Sequence, residues 1–201
     1  MRGILLVSAL ALAALAVTTA PDAAFGQQTE LACIDQTEGR MSADVRARSP
    51  LDSVAFQLDG KPVKICYSRP SARGRVIMGG LVPYGELWRT GANEPTMIHT
   101  SVALDIAGIR VEPGTYSFYT VPGEQEWEVI VNRSIEQWGR ENTYTAEVRA
   151  QEVGRATVPA GEAKEYTETF TIRAEPRQGG EAMMILEWER TRVAVPIKPA
   201  K

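Results

Sequence analysis

Residues 114–132 read GTYSFYTVPGEQEWEVIVN, and this stretch decides the fold class of the chain. Apolar and polar residues alternate on both sides of the segment 122–125, which contains the proline and glycine of a turn. Tyr116 and Phe118 share one face of the first arm, and Trp127 begins the equivalent apolar face of the second. Because a period of two is typical of half-buried strands, the stretch predicts a β-hairpin.

Outward from this hairpin, the chain repeats the pattern of short strands between turns. Asp59-Gly60 separates the apolar runs 54–58 and 63–67, which is the signature of a second tight hairpin. Further strands are predicted over residues 97–104, 144–152, 166–173, 182–189 and 192–197. Only residues 134–138, which end at Gly139, have the pattern of a short helix or turn. The predicted class is all-β, an antiparallel β-sandwich or partly open barrel.

The N-terminus has the features of a secretory signal peptide. Arg2 precedes an apolar run from Ile4 to Val17, and small residues continue to Gly26. The run is too short for a comfortable membrane span, so we expect residues 1–26 to be cleaved. The mature protein is then expected to be exported, periplasmic or extracellular, with no integral membrane segment.

Length and charge limit the organisation of the mature chain. About 175 residues remain after cleavage, which suits one domain. Residues 27–52 are charged and weakly patterned and are predicted to form an N-terminal arm or linker, and residues 53–198 a single β-sandwich domain. The formal net charge of -3 provides no basic field, so nucleic acid is not an expected partner.

The chain has two cysteines, Cys33 and Cys66. An even number in an exported chain favours a disulfide, which would tie the N-terminal arm to a strand. Two separate thiols, with Cys66 buried in the core, are the alternative.

A Gly/Pro-rich loop over residues 79–96, GGLVPYGELWRTGANEPT, carries the main candidates for a binding site. The guanidinium of Arg89 suits a carboxylate or phosphate, either on a ligand or on Glu86 or Glu94 of the same loop. Trp88 and Tyr84 have rings that stack on a sugar or peptide, but core packing is the simpler role for at least one of them.

The end of this loop offers polar groups of three kinds. Asn93 follows Gly91-Ala92, where a positive backbone angle or a bond to its own loop is common for asparagine. Glu94 suits acid/base chemistry if the loop buries it beside Arg89. Thr96 ends the loop.

His99 is the only histidine, and an ordinary, partly buried strand residue is its simpler interpretation. With the two cysteines expected to be oxidised, few zinc ligands remain, so neither a metal nor a cofactor is predicted.

Arginines also gather just before the loop. Arg69, Arg73 and Arg75 flank a turn, and together with Arg89 they predict a positive patch in an otherwise acidic protein. Such a patch favours an anionic ligand. The alternative is that the first three are solvated turn residues with surface ion pairs of little energetic weight.

Several short motifs occur in one order along the chain: Tyr67-Ser68-Arg69-Pro70, Gly74-Arg75, Leu81-Val82-Pro83-Tyr84-Gly85, Trp88-Arg89-Thr90-Gly91-Ala92-Asn93-Glu94, Gly114-Thr115-Tyr116 and Trp138-Gly139. In this the chain resembles the domain-of-unknown-function family 2911, over residues 54–197. The resemblance implies an exported, mostly β domain and brings no established activity or catalytic role.

Three functional hypotheses follow. The first is an envelope protein that binds a small polar or anionic ligand, a saccharide or a peptide, or a partner, through the loop from Tyr84 to Thr96. Its candidate binding residues are Arg75, Tyr84, Trp88, Arg89, Asn93, Glu94, Thr96 and His99. The second is an envelope hydrolase or lyase in which Glu94 acts as acid or base. The third is a structural protein in which the loop motif locks the fold.

Overall fold

The computed structural model describes residues 31–139 and 141–201. The predicted signal peptide lies outside the described residues. The described chain forms a nine-stranded antiparallel sheet that is not closed into a barrel, so the all-β prediction is confirmed. No helix within the described ranges is long and apolar enough to cross a membrane.

The strands in chain order are β1 Leu51–Leu58, β2 Lys61–Ser68, β3 Ala92–Thr100, β4 Leu104–Ile106, β5 Ile109–Val111, β6 Gly114–Pro122, β7 Glu126–Asn132, β8 Glu152–Pro176 and β9 Ala182–Pro199. Their order across the sheet is β1-β2-β3-β6-β7-β8-β9-β4-β5. Two four-residue helices accompany them, α1 Ala43–Arg46 and α2 Ala146–Arg149, with a 3-10 turn over Glu141–Thr143.

Both hairpins predicted from turn chemistry are present. Asp59 and Gly60 join β1 to β2 with φ angles of 50° and 68°. Two positive φ angles match the right-handed twist of the flanking strands, and Asp-Gly adopts them at small cost. The second hairpin pairs β6 with β7, with Phe118 opposite Val131.

One local prediction is wrong, and in a second only the helical alternative fails. Residues 144–152 do not form a strand: the side chain of Thr145 caps α2 by accepting a hydrogen bond from the Val148 N–H, and β8 begins at Glu152. Residues 134–138, predicted as a short helix or turn, contain no helix: the chain bends at residues 136 and 137, and local side-chain bonds hold the backbone there. The Ser134 N–H donates to Asn132 Oδ1 at 2.8 Å, and Ser134 Oγ lies 2.7 Å from Gln137 Oε1.

Several strand bounds also differ from those expected. The predicted strand 166–173 is part of the 25-residue β8, and the segments 182–189 and 192–197 merge into β9. The first part of β8 pairs with β7 and its remainder pairs with β9, so the strand continues from one part of the sheet into the other. The predicted strand 97–104 begins earlier, at Ala92, and ends at Thr100.

An aromatic cluster fills the core beneath the connection from β2 to β3. The Trp88 ring lies 5.2 Å from that of Phe170 and 5.9 Å from those of both Trp127 and Trp188. Tyr67 joins β2 to β8, since its hydroxyl accepts from the Ile172 N–H at 3.0 Å. These contacts bring the β2 part of the sheet against the second half of β8.

The predicted disulfide is present. Cys33 and Cys66 have Cα atoms 5.7 Å apart and an S–S distance of 1.99 Å. The bond fastens the N-terminal arm to β2. The arm then continues through α1 to Ser49, whose carbonyl accepts a 3.1 Å hydrogen bond from Asn93 Nδ2. The arm therefore lies against the loop that carries the candidate site.

Candidate functional site

The connection between β2 and β3 and the end of the N-terminal arm enclose a cleft of about 660 Å³. We call it the arginine cleft, because Arg48, Arg73, Arg75 and Arg89 all line it. Apolar groups from several elements complete the lining: Val45, Leu81, Val82, Leu87, Trp88 and Trp188. The cleft thus combines cationic side chains with an apolar surface.

A tight turn positions Arg73 and Arg75. Arg73 has φ 53° and Gly74 φ 72°, so the chain reverses here in the left-handed region that glycine adopts easily. The turn is held from β8, because Glu168 Oε1 accepts from the Arg73 N–H at 2.7 Å and the Glu168 carbonyl accepts from the Ala72 N–H at 2.8 Å. The two arginines are therefore presented by a fixed backbone.

Backbone carbonyls hold the guanidinium groups of this turn. Arg73 Nη2 donates to the Arg48 carbonyl at 2.8 Å. Arg75 donates from Nε to the Ala72 carbonyl at 2.9 Å and from Nη2 to the Ser71 carbonyl at 2.8 Å. A carbonyl orients a guanidinium without neutralising it. The positive charges therefore remain available to an anion.

The charge of the cleft differs from that of the whole chain. Among the described residues, no carboxylate forms an ion pair with Arg48, Arg73 or Arg75. Four arginines line the cleft against two glutamates, Glu86 and Glu141, whereas the chain carries a net charge of -3. The local excess is positive, which favours anions.

Arg69 does not belong to this group, although the sequence places it beside Arg73 and Arg75. Its Nη1 lies 3.0 Å from Asp52 Oδ2, and its Nη2 donates to Thr171 Oγ1 at 3.0 Å. Arg69 therefore forms a surface ion pair with Asp52, which is the alternative given for it in the sequence analysis.

The two aromatic candidates of the loop have different environments. Trp88 is 5% exposed and donates from Nε1 to the Gly91 carbonyl at 3.1 Å, so its main role is in the core, and only a small part of its surface lines the cleft. Tyr84 is 42% exposed and does not line the cleft. Its ring packs over Gly79, where an added Cβ would lie 2.8 Å from the ring.

Asn93 and Arg89 both line the cleft. Asn93 has the predicted positive backbone angle, φ 59°, and its Nδ2 donates to the Ser49 carbonyl at 3.1 Å and to Ser68 Oγ at 3.3 Å. The Arg89 carbonyl accepts from the Thr96 N–H at 3.1 Å. Thr96 is fully buried and donates from Oγ1 to the Thr90 carbonyl at 2.6 Å, so it closes the loop from within.

Glu94 is buried beside Arg89 but does not line the cleft. It is 2% exposed, its Oε1 accepts from the Ser68 hydroxyl at 3.1 Å, and its Oε2 is buried without a hydrogen-bond partner in the described part of the chain. Burial raises the pKa of the Glu94 carboxyl above its ordinary value of 4.5, and the Ser68 bond and the Arg89 charge only partly oppose this.

Close packing around position 139 explains why the residue after Trp138 is a glycine. A Cβ at this position would lie 2.4 Å from the Asn93 carbonyl oxygen, 2.7 Å from the Glu94 carbonyl carbon and 2.8 Å from Arg89 Cδ. Two of these atoms belong to backbone that cannot move aside easily. Gly139 therefore lets the segment after β7 pack directly against the loop that carries the site.

His99 lies apart from the cleft. It is 4% exposed, and its Nδ1 is 3.0 Å from Thr115 Oγ1. Burial and the neighbouring charge of Lys64 lower the pKa of the imidazole. No three His, Cys, Asp or Glu residues in the described ranges are grouped as metal ligands would be.

The cleft thus brings together four of the eight residues proposed from the sequence: Arg75, Trp88, Arg89 and Asn93. Tyr84, Glu94, Thr96 and His99 lie outside its lining. Sequence reasoning missed Val45 and Arg48 on the arm and Trp188 on β9. Nothing in their local pattern marks them, because only the disulfide and the fold of the sheet bring them to the loop.

Comparison with known proteins identifies the family of the chain but provides no activity for it. The sequence model of a family described as protein of unknown function (DUF2911) matches residues 49–197. No curated protein and no solved structure is significantly similar to the chain. The motifs Trp88 to Glu94 and Trp138-Gly139 lie inside the matched range.

Proposed function

Since the chain belongs to DUF2911, a family of unknown function, we propose a function from the chain's own side chains. The protein is an exported binding module that holds a small anionic ligand in the arginine cleft. The disulfide supports export, because such bonds persist in oxidising compartments.

One observation carries the proposal: Arg48, Arg73 and Arg75 meet at a cleft without a carboxylate partner in the described chain. Six arginines elsewhere in the described chain form ion pairs with carboxylates: Arg69, Arg110, Arg155, Arg173, Arg177 and Arg192. Arg155, for example, lies 2.7 Å from Glu152 Oε2 and 2.5 Å from Glu128 Oε2. Where the protein leaves several guanidinium groups together and unneutralised, a bound anion supplies the missing charge.

The lining also describes the rest of the ligand. Leu81 and the small exposed parts of Trp88 and Trp188 give the cleft an apolar side, which suits an organic body that carries the anionic group. The volume of about 660 Å³ lies within the range of small-molecule sites, roughly 300–1,000 Å³. A sugar acid or a short acidic peptide of the envelope combines these properties.

The geometry favours binding over acid/base catalysis by Glu94. The carboxyl lies outside the lining of the cleft and is 2% exposed, so a ligand held by the arginines does not contact it. The bonds of Trp88, Thr90 and Thr96 inside the loop support a structural role for the inner part of the motif. They leave the arginines of the cleft unexplained, and the ligand accounts for those.

The test is calorimetric titration of the purified protein with organic anions that differ in size and charge, including sugar acids and acidic peptides. We expect binding that weakens with salt and falls at least about tenfold in the Arg73→Gln/Arg75→Gln variant, because charge-assisted hydrogen bonds contribute about 1.5–3 kcal/mol each. The control is Arg133→Gln, since Arg133 is an exposed arginine outside the cleft.

Two outcomes would overturn the proposal: no anion binds the wild type, or the double variant binds as tightly as the wild type. A third measurement separates binding from catalysis. Glu94→Gln should leave anion binding unchanged, whereas turnover of a bound anion that disappears in this variant would support the hydrolase or lyase hypothesis.

A further inference from the structure

The connection that carries Arg73 and Arg75 continues into an exposed apolar group. We call Val76, Leu81 and Tyr84 the apolar tip; they are 71%, 48% and 42% exposed. Ile77, which directly follows Val76 in the chain, is fully buried and anchors the segment to the core. The tip therefore presents apolar side chains to solvent, and it adjoins the arginine cleft through Leu81.

The exposure of these side chains is concentrated in one region. Six large hydrophobic residues are exposed in the described chain, and four of them, Val45, Val76, Leu81 and Tyr84, belong to the tip or the cleft lining. The other two, Ile34 and Tyr166, are outside both. Single exposed hydrophobic residues are ordinary, but a cluster of them marks a surface that contacts something apolar.

Backbone hydrogen bonds fix the loop that carries the tip. The Leu81 N–H donates to the Val76 carbonyl at 3.0 Å, and the Gly79 N–H donates to the Val82 carbonyl at 2.9 Å. From β9, Glu189 Oε2 accepts from the Ile77 N–H at 3.0 Å. The three apolar side chains are thus presented by a hydrogen-bonded loop.

The chemistry of the partner follows from what surrounds the tip. Arg75 directly precedes Val76, and Leu81 lines the cleft together with Arg48 and Arg73. Apolar side chains beside uncompensated arginines match the boundary of a lipid bilayer, where acyl chains begin below anionic phosphates. A protein interface buries about 800 Å² on each partner, which is far more than a three-residue tip presents.

We propose that the apolar tip docks this protein onto a bilayer that contains anionic lipid. Val76, Leu81 and Tyr84 enter the boundary between headgroups and acyl chains, and Arg48, Arg73 and Arg75 bind lipid phosphates. The inference rests on the proposed function only in that the cleft arginines take an anion. Glu86 of the same connection also lines the cleft and repels an anionic surface.

The experiment is co-sedimentation of the purified protein with vesicles of phosphatidylcholine alone and of phosphatidylcholine mixed with phosphatidylglycerol. We expect binding only to the mixed vesicles, and less of it at high salt. The Val76→Ser/Leu81→Ser variant should lose at least about tenfold in partitioning, because both side chains lose the apolar surface that enters the bilayer. Glu86→Gln should bind more tightly than the wild type.

Ile34→Ser is the matched control, because Ile34 is 41% exposed and belongs neither to the tip nor to the cleft lining. It should bind the mixed vesicles like the wild type, and all variants should keep the wild-type melting temperature. The inference is overturned if the wild type ignores the mixed vesicles or if the tip variant sediments with them equally well. If organic anions still bind the arginine cleft in that case, the membrane inference has failed and the proposed function stands.

Discussion

The segment 69–96 has an inner side, whose side chains are buried, and an outer side, whose side chains are exposed. The two sides differ in the contacts that their side chains make. On the inner side, Trp88, Thr90 and Thr96 are buried and form hydrogen bonds within the loop. On the outer side, Arg73 and Arg75 have no carboxylate partner in the described chain, and Leu81 and Tyr84 are exposed. The inner side is buried and bonded within the loop, and the outer side is exposed to solvent and carries arginines without a carboxylate partner.

This difference divides the most specific motif between the core and the surface for which we propose a function. The run Trp88 to Glu94 supplies groups to both sides: Thr90 and Glu94 are buried and lie outside the cleft lining, whereas Arg89 and Asn93 line the cleft. The cationic groups of the cleft come largely from the less specific turn before it and from the N-terminal arm. A short motif that can be found easily in a sequence therefore need not supply most of the charge of a candidate site. The predictions below test the two sides separately.

The largest effect is expected for Trp88→Ala. It removes the ring that contacts Trp127, Phe170 and Trp188, and a large buried aromatic contributes about 3–5 kcal/mol to the free energy of unfolding. Urea unfolding measures the loss. The control is Tyr84→Ala on the outer side, which should change the free energy of unfolding much less. Equal losses in the two variants would contradict the distinction between the sides.

A smaller loss is expected for Gly139→Ala. The added methyl group meets the Asn93 carbonyl oxygen at 2.4 Å, and forced overpacking of this kind costs about 1–3 kcal/mol. Gly161→Ala is the matched control, because a Cβ there meets nothing nearer than 3.9 Å. The comparison of their urea midpoints decides the matter. A Gly139→Ala protein as stable as the control would show that the loop and the segment after β7 are not tightly packed.

Glu94→Gln should have an effect that depends on pH. The pKa of the Glu94 carboxyl is raised in the folded state, so as pH increases the unfolded chain releases the Glu94 proton before the folded protein does. The free energy of unfolding of the wild type therefore falls as pH rises above 4.5, the ordinary pKa of this carboxyl. Glutamine carries no such proton. The stability of the variant relative to wild type should therefore improve between about pH 4 and pH 7. Urea unfolding at several pH values tests this, with Glu124→Gln at an exposed turn as the control. A difference that stays constant with pH would contradict the burial argument.

The smallest change in stability is expected for Arg73→Gln/Arg75→Gln. Both side chains are exposed and form no ion pair with a described carboxylate, and the variant loses only bonds from the guanidinium groups to carbonyls at or near the surface, so the free energy of unfolding should fall by no more than about 1 kcal/mol. The same variant is expected to lose anion binding, which is how an outer-side change should differ from one on the inner side. A large loss of stability would instead assign these arginines to the scaffold.

Turn chemistry and alternation predicted most of the fold. The hairpin at Asp59-Gly60 and the hairpin around residues 122–125 are both present, because their signals lie within a few neighbouring residues. Helix α2 was missed because four residues are too few for a helical period, and a threonine cap decides its structure. The full lengths of β8 and β9 were missed because pairing with partners in two parts of the sheet sets them.

The candidate site was predicted only in part, because sequence patterns reveal groups of residues that are neighbours in the chain. Arg75, Arg89 and Asn93 were proposed because they lie in or beside one Gly/Pro-rich loop, and all three line the cleft. Arg48 and Trp188 were not proposed, since they are more than a hundred residues apart in the chain and neither is marked by its neighbours. Arg69 was grouped with the patch, but Asp52 on β1 neutralises it.

By itself, the sequence determined the all-β class, both hairpins, the two cysteines available for one disulfide and the motifs of the family, because alternation, turn residues and short motifs are local properties of a chain. Only the tertiary structure decided which arginines lack a carboxylate partner. Arg69 meets Asp52, whereas Arg73 meets a carbonyl of the arm, and both contacts depend on strands and arm segments that only folding brings together. The charge of a site depends on distances in space, and local sequence patterns do not specify those distances.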